Sequence, residues 1–196
     1  LEHNIPRMLN HEAFNHYLRV LYVPAPLTMF EGIYKFPPAS FGVLKDGELT
    51  IQKYWSIQDT EDIKGSKYEI AEALQKKVQR SIRDQLISDR PLGIYLSGGI
   101  DSTVVLDGVK NIRGNIDTFS VGFELADSEE GEKFNADFNL ARETAAYYGT
   151  NHHEVLVSPK DVTDLFEETV WHADEPISNP TANAMMKLAR FAKQKV

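Results

Sequence analysis

The chain has 196 residues, 42% hydrophobic and 26% charged, the balance of an ordinary globular protein with room for one domain or one domain and part of another. Its formal net charge of −8 argues against a face that wraps nucleic acid, while leaving room for a local anion site. The absence of cysteine excludes disulfides, thiolate metal sites and a cysteine nucleophile within these residues; no apolar run is long enough to span a membrane, and Leu1-Glu2-His3-Asn4 does not open a signal peptide, so neither a nucleic-acid nor a membrane partner is expected and the cytoplasm is the expected compartment.

Residues 11–22 read as a helix with Phe14, Leu18 and Leu21 on one face, ended by Pro24 and Pro26. A proline-punctuated stretch with Pro37-Pro38 follows. Two apolar runs, 41–44 and 49–55, then flank Asp46-Gly47, a dipeptide that tolerates the positive φ of tight hairpin turns. Residues 58–67 are polar and read as a linker. Ser66 and Glu69 have the spacing of a capping box, and Ile70, Leu74, Val78, Ile82 and Leu86 recur every fourth residue, so a long amphipathic helix is expected over 68–87.

Beyond Pro91 the pattern becomes strand, helix, strand. Residues 92–96 suit a buried strand, 102–109 a helix, 116–123 a second strand and 138–148 a second helix, with Ala141, Ala145 and Tyr148 aligned and Gly149 as its stop. Residues 153–157 give a third strand and 162–172 a further helix. A loop through Asp174-Glu175-Pro176 and Asn179-Pro180 precedes a last helix from Thr181. The alternation implies an α/β fold with a parallel sheet and flanking helices. The acidic stretch 127–132 reads as a solvated loop, and Phe166 and Trp171 as core.

The chemistry is concentrated in Ser97-Gly98-Gly99-Ile100-Asp101-Ser102, at the carboxyl end of the first parallel strand, where open α/β sheets bind ligands. Two adjacent glycines expose backbone amides, the start of the next helix favours a phosphate, and both serines add donors. Asp101 would repel a bare phosphate but fits one that arrives with Mg²⁺. The stretch is neither a Walker loop, since no lysine follows Gly99, nor a dinucleotide fingerprint.

Ser-Gly-Gly-x-Asp-Ser after a buried strand resembles the PP-motif of the N-type ATP pyrophosphatases. Further stretches resemble one branch of them, the glutamine-hydrolysing asparagine synthetases: Thr118-Phe119-Ser120-Val121-Gly122-Phe123, Gly149-Thr150-Asn151-His152-His153-Glu154, Asp174-Glu175-Pro176, and upstream Pro26-Leu27-Thr28-Met29-Phe30-Glu31-Gly32-Ile33. The resemblance implies an adenine nucleotide α-hydrolase-like sheet over residues 58–196, the first half of a synthetase domain. It implies that residues 1–57 are the end of a glutaminase domain of the N-terminal nucleophile type. ATP would bind at Leu96, Ser97, Gly98, Gly99, Ile100, Asp101, Ser102 and Val121. Asp101 would help place Mg²⁺, and Leu96 and Val121 would act through backbone groups. The implied partners are small molecules, namely ATP, aspartate and glutamine or ammonia, and a homodimer is the assembly left open.

Two departures bear on function. Family members carry a catalytic cysteine at the start of the glutaminase domain, and later a Ser-Gly-Glu-Gly-x-Asp-Glu loop followed by a catalytic lysine; this sequence contains neither the cysteine nor the loop that the lysine follows. It is therefore expected to be a middle slice of the enzyme, inactive alone, with the catalytic residues outside it. Three readings stay open: an asparagine-forming ligase, a relative acting on another acceptor such as a β-lactam synthetase or peptide-cyclising enzyme, and a non-catalytic nucleotide-binding module. His152 and His153 are expected to be structural, because neighbouring strand residues point to opposite faces. For Asp174 and Glu175 a solvated loop and a site role are equally open.

Overall fold

A computed structural model describes residues 4–57, 63–125, 129–176, 178–179 and 181–196. The chain divides into two compact units, Leu1–Asp62 with Val170–Asn179 and Ile63–Thr169 with Pro180–Val196. Half of the expected linker, residues 58–62, and Pro180 lie outside the described residues.

In the first unit, α1 (His11–Val20) starts at Asn10, whose side chain accepts from the Ala13 amide at 3.0 Å. Strands β1 (Ser40–Lys45) and β2 (Glu48–Lys53) form the expected antiparallel hairpin. Lys45 pairs with Glu48, and Asp46 and Gly47 turn between them with φ of 52° and 85°, the two positive values of a type I′ turn. Thr28 ties the segment before the hairpin, donating to the Ile33 carbonyl at 2.7 Å and accepting from the Phe30 amide at 3.2 Å. Lys35 joins the Asp-Glu-Pro loop through Glu175 at 2.8 Å, so Glu175 is ion-paired rather than merely solvated.

The second unit opens with α2 (Lys67–Gln85), whose capping box forms as its sequence requires: Ser66 Oγ accepts from the Glu69 amide, and Glu69 accepts from the Ser66 amide at 2.8 Å. Strand β3 (Gly93–Tyr95) leads through the glycine turn into α3 (Ile100–Arg113). Then come β4 (Asp117–Phe123), α4 (Glu129–Phe134), α5 (Ala136–Tyr148) and β5 (Asn151–Val157). The chain continues through α6 (Pro159–Asp164), α7 (Phe166–Ala173) and α8 (Thr181–Ala192).

The sheet is parallel, in the order β3-β4-β5. Apolar side chains cover both of its faces, as a parallel sheet demands. On one, Leu96, Leu106, Val109, Ile116, Ala141 and Ala145 form a core to which Ile82 and Leu86 of the α2 side add. On the other, Phe119, Leu188 and Ala192 are buried together with Val121, Val155 and Phe191 against them. Helices α2 and α3 approach closely at Gly108, where an added Cβ would stand 2.5 Å from Ile82 Cδ1. The fold class expected from the sequence is thus present.

Three local expectations are corrected. The helix expected over 162–172 is two helices, broken at Leu165 between α6 and α7; the Ser158–Asp161 capping box starts the first of them. The acidic stretch 127–132 is not all loop, because α4 begins at Glu129; residues 127 and 128 lie outside the described residues. Phe166 and Trp171 are not core, being 55% and 65% exposed. The apolar stripe of α2 is also only half used: Ile82 meets the core while Leu74 remains 61% exposed.

Candidate functional site

The glycine turn is held by its own hydroxyls. Ser97 Oγ and Ser102 Oγ are 3.0 Å apart, and Ser102 Oγ donates to the Gly99 carbonyl at 3.0 Å. Ser97 N–H donates to Ser102 Oγ at 3.3 Å, and Gly99 N–H to Ser97 Oγ at 3.4 Å. Thr103 Oγ1 reaches back to the same Gly99 carbonyl at 2.9 Å. Gly98 has φ +74°, and a Cβ there would lie 2.6 Å from the Asp137 carbonyl oxygen and 2.8 Å from the Ala141 amide nitrogen. Only glycine satisfies both the left-handed backbone and the close approach to α5.

Gly99 is the N-cap of α3 and contributes no side-chain cap. The first-turn amides of this 14-residue helix are therefore not capped by a side chain of the preceding residue. An anion is the natural partner for such a terminus, and the loop's two hydroxyls stand beside it. Asp101 lies exposed in the same first turn. Among the described residues no group of three or more His, Asp or Glu gathers as a metal cage. One exposed carboxylate beside an anion cradle does fit Mg²⁺ that is carried by phosphate oxygens, since this ion needs few protein ligands.

Beside the loop, at the carboxyl end of β3 and β4, is a cavity of about 390 Å³. Its lining includes Leu96, Ser97 and Val121, three of the sequence-predicted residues, together with Phe123, Asn135 and Met185. The predicted set is not all on one side. Gly98 and Ile100 line a groove between α2 and α3, and the Ile100 residue is 78% exposed. Asn135, Phe134 and Met185 were missed by the sequence reading; an asparagine just ahead of a helical run at Ala136 was the available signal.

The histidine pair lies elsewhere on the sheet and faces two ways. His152 meets Thr118 Oγ1 at 2.9 Å and Ser120 Oγ at 3.1 Å, and Thr118 Oγ1 in turn meets Thr150 Oγ1 at 2.8 Å. His153 meets Asp117 at 2.7 Å and stacks on Phe119 with centroids 5.0 Å apart. They share no partner in these contacts, as strand alternation requires. Burial lowers the His152 imidazole below its ordinary pKa, with Glu154 opposing. Glu154 itself accepts two bonds from Arg142, at 2.7 and 3.0 Å.

Comparison with known proteins places this arrangement. A family model for asparagine synthase matches residues 73–196, which include the glycine turn, all three parallel strands and the cavity. The chain is 30% identical over 194 residues to asparagine synthetase [glutamine-hydrolyzing] 1 of Bacillus subtilis, covering 96% of this chain and 29% of that protein. It is 26% identical to putative asparagine synthetase [glutamine-hydrolyzing] 2 of Methanocaldococcus jannaschii, covering 98% of this chain and 36% of that protein. It is 29% identical to the amidase chyE of Penicillium rubens, covering 83% of this chain and 26% of that one. The chain thus spans about a third or less of the length of these relatives. With most of its length, and the whole parallel sheet, inside the matched region, the chain belongs to the asparagine synthase family.

Proposed function

We propose that this chain supplies the ATP-binding part of an amide-forming ligase that makes asparagine from aspartate, glutamine and ATP. One observation carries this: the phosphate-competent turn 97–102 and the cavity lined by Leu96, Ser97 and Val121 sit together at the carboxyl end of β3. The family membership supports the reaction class, and the names of the Bacillus subtilis and Methanocaldococcus jannaschii relatives support the product.

In this reading the aspartate side-chain carboxylate attacks the α phosphorus, β-aspartyl-AMP forms and pyrophosphate leaves; ammonia from glutamine then displaces AMP. Ser97, Gly98, Gly99 and Ser102 hold the leaving pyrophosphate, with the first-turn amides of α3 behind them. Leu96 and Val121 meet the adenosine through backbone groups. Mg²⁺, when bound, neutralises phosphate charge, and Asp101 is the residue that would hold it. Positioning and fixed dipoles suffice for this share of the work. Residues 1–57 would be the end of a glutaminase domain and residues 58–196 the start of the synthetase domain, in a cytoplasmic enzyme. Residues 1–196 alone would bind nucleotide without forming asparagine from glutamine or ammonia, because they hold neither a cysteine to hydrolyse glutamine nor the family's Ser-Gly-Glu-Gly-x-Asp-Glu loop.

Isotope exchange tests the reading. The full-length protein should incorporate labelled pyrophosphate into ATP only when aspartate is present. Exchange that ignores aspartate but follows another carboxylate would favour the second reading, an altered acceptor, which rests on the match to a protein named an amidase. No exchange with any carboxylate, alongside tight ATP binding, would leave a nucleotide-binding module.

A further inference from the structure

Strand β4 outruns β3. All seven residues of β4 pair with β5, but the register with β3 stops at Tyr95 opposite Phe119. One further bond, from Leu96 N–H to the Phe119 carbonyl at 2.8 Å, closes that side before the chain turns into Ser97. Along a strand, alternate residues direct their N–H and C=O groups to the same neighbour. The Ile116 carbonyl and the Glu124 amide bond to Asn151 and Val157, on the β5 side. Phe119 bonds to Leu96, so Val121 and Phe123 also direct their groups away from β5.

Phe123 has found a substitute for the missing strand. The Asn135 side chain accepts from Phe123 N–H at 2.9 Å and donates to the Phe123 carbonyl at 2.9 Å. These are the two bonds that a longer β3 would have made with two of its residues, as a parallel neighbour does. Asn135 is itself anchored through its backbone: its amide donates to the Gly131 carbonyl at 3.1 Å and its carbonyl accepts from the Asn139 amide at 3.0 Å. Phe134 packs edge-on against Phe123 with centroids 5.0 Å apart. Val121 is left between two satisfied neighbours, at the cavity wall, and among the described residues no hydrogen bond reaches its N–H or C=O on that side.

We propose that Asn135 is a positioning residue that completes the β4 edge at Phe123, and so presents the N–H and C=O of Val121 as one isolated donor–acceptor pair for the base of the nucleotide. This rests on the nucleotide reading above and deepens it. A fixed N–H beside a fixed C=O matches an edge with a ring-nitrogen acceptor next to an amino donor, as adenine offers. Hypoxanthine offers an N–H beside a carbonyl, the opposite polarity, and is rejected because both backbone groups would be left unpaired.

The test uses the full-length protein with Asn135→Ala and Asn135→Asp, the second keeping the acceptor for Phe123 N–H but losing the donor. Calorimetric dissociation constants are measured for MgATP, MgITP and Mg-pyrophosphate, together with hydrogen exchange at the Phe123 amide. Both variants should bind ATP about tenfold more weakly, the order expected for loss of well-placed hydrogen bonds. They should bind pyrophosphate as the parent does and discriminate less between ATP and ITP; Phe123 should exchange faster in the alanine variant. Unchanged ATP affinity and unchanged ATP-to-ITP preference in a variant that melts cooperatively would overturn the proposal. If the alanine variant does not fold, the aspartate variant decides by the same criteria. A parent protein that binds pyrophosphate but shows no preference for ATP over ITP would overturn it as well. A parent that binds none of the three would instead overturn the underlying nucleotide reading.

Discussion

Ser97 Oγ and Ser102 Oγ meet at 3.0 Å across the Gly98-Gly99 turn, so the two hydroxyls of the loop partner each other. A bound phosphate would take over these donors. Ser102→Ala removes one of them and the acceptor for Ser97 N–H. Pyrophosphate and ATP should then bind about tenfold more weakly by calorimetry, the order of one charge-assisted hydrogen bond. The melting temperature should fall by only a few degrees, because the residue is outside the core.

Two glycines with nearly the same φ should respond differently to alanine. At Gly98 the new Cβ meets the Asp137 carbonyl oxygen at 2.6 Å and Leu140 Cβ at 2.7 Å, while at Gly114, φ +75°, nothing lies within 4 Å. Gly114→Ala should cost about 2 kcal/mol from backbone strain alone, because its ψ of −115° lies outside the left-handed helical region that alanine tolerates. Gly98→Ala should cost about 3 kcal/mol, adding overpacking to the strain. Urea unfolding of the two variants measures the difference; equal costs would mean that α5 yields to the loop.

Asp101→Ala should abolish the Mg²⁺ dependence of ATP binding. Affinities are compared by calorimetry with Mg²⁺ and with EDTA. A variant that binds MgATP as tightly as the parent would remove the assigned role of Asp101.

Stability should depend on the protonation of His152. Its imidazole titrates below its ordinary value of 6.5 in the folded state, chiefly because it is buried. The unfolded chain therefore takes up the proton first, and the contribution is complete above pH 6.5 and is lost as pH falls from there through the lower folded value. His152→Gln should flatten this acid side of the curve, as melts between pH 7.5 and about 5 would reveal.

Most of the architecture was legible because periodicity and punctuation agreed. Ser66 with Glu69, the Asp46-Gly47 turn and the alternation after Pro91 each state a local rule that the fold obeys. The glycine turn was legible because its residue types are costly anywhere else. What was not legible depends on tertiary partners. Nothing in the stretch 129–134 carries an apolar period, so α4 gave no signal, and with it went Asn135, whose role exists only through Phe123 twelve residues earlier. Trp171 and Phe166 were misjudged because large apolar residues mark the core only on average; an individual one can sit at the surface.

The stagger between β3 and β4 has a consequence for how this protein can vary. Three residues of β3 pair where β4 offers seven, and the opening left at the end is bounded by main-chain hydrogen bonds at Phe119 and by a side-chain amide at Phe123. The pair at Val121 is main chain too. Replacing the Val121 side chain would alter packing on the Phe119–Leu188 face without erasing its N–H and C=O, the groups proposed to meet the base. On the proposed reading, base preference is insulated from mutation at the very residue that sets it, and a change in nucleotide choice would enter through a neighbour such as Asn135.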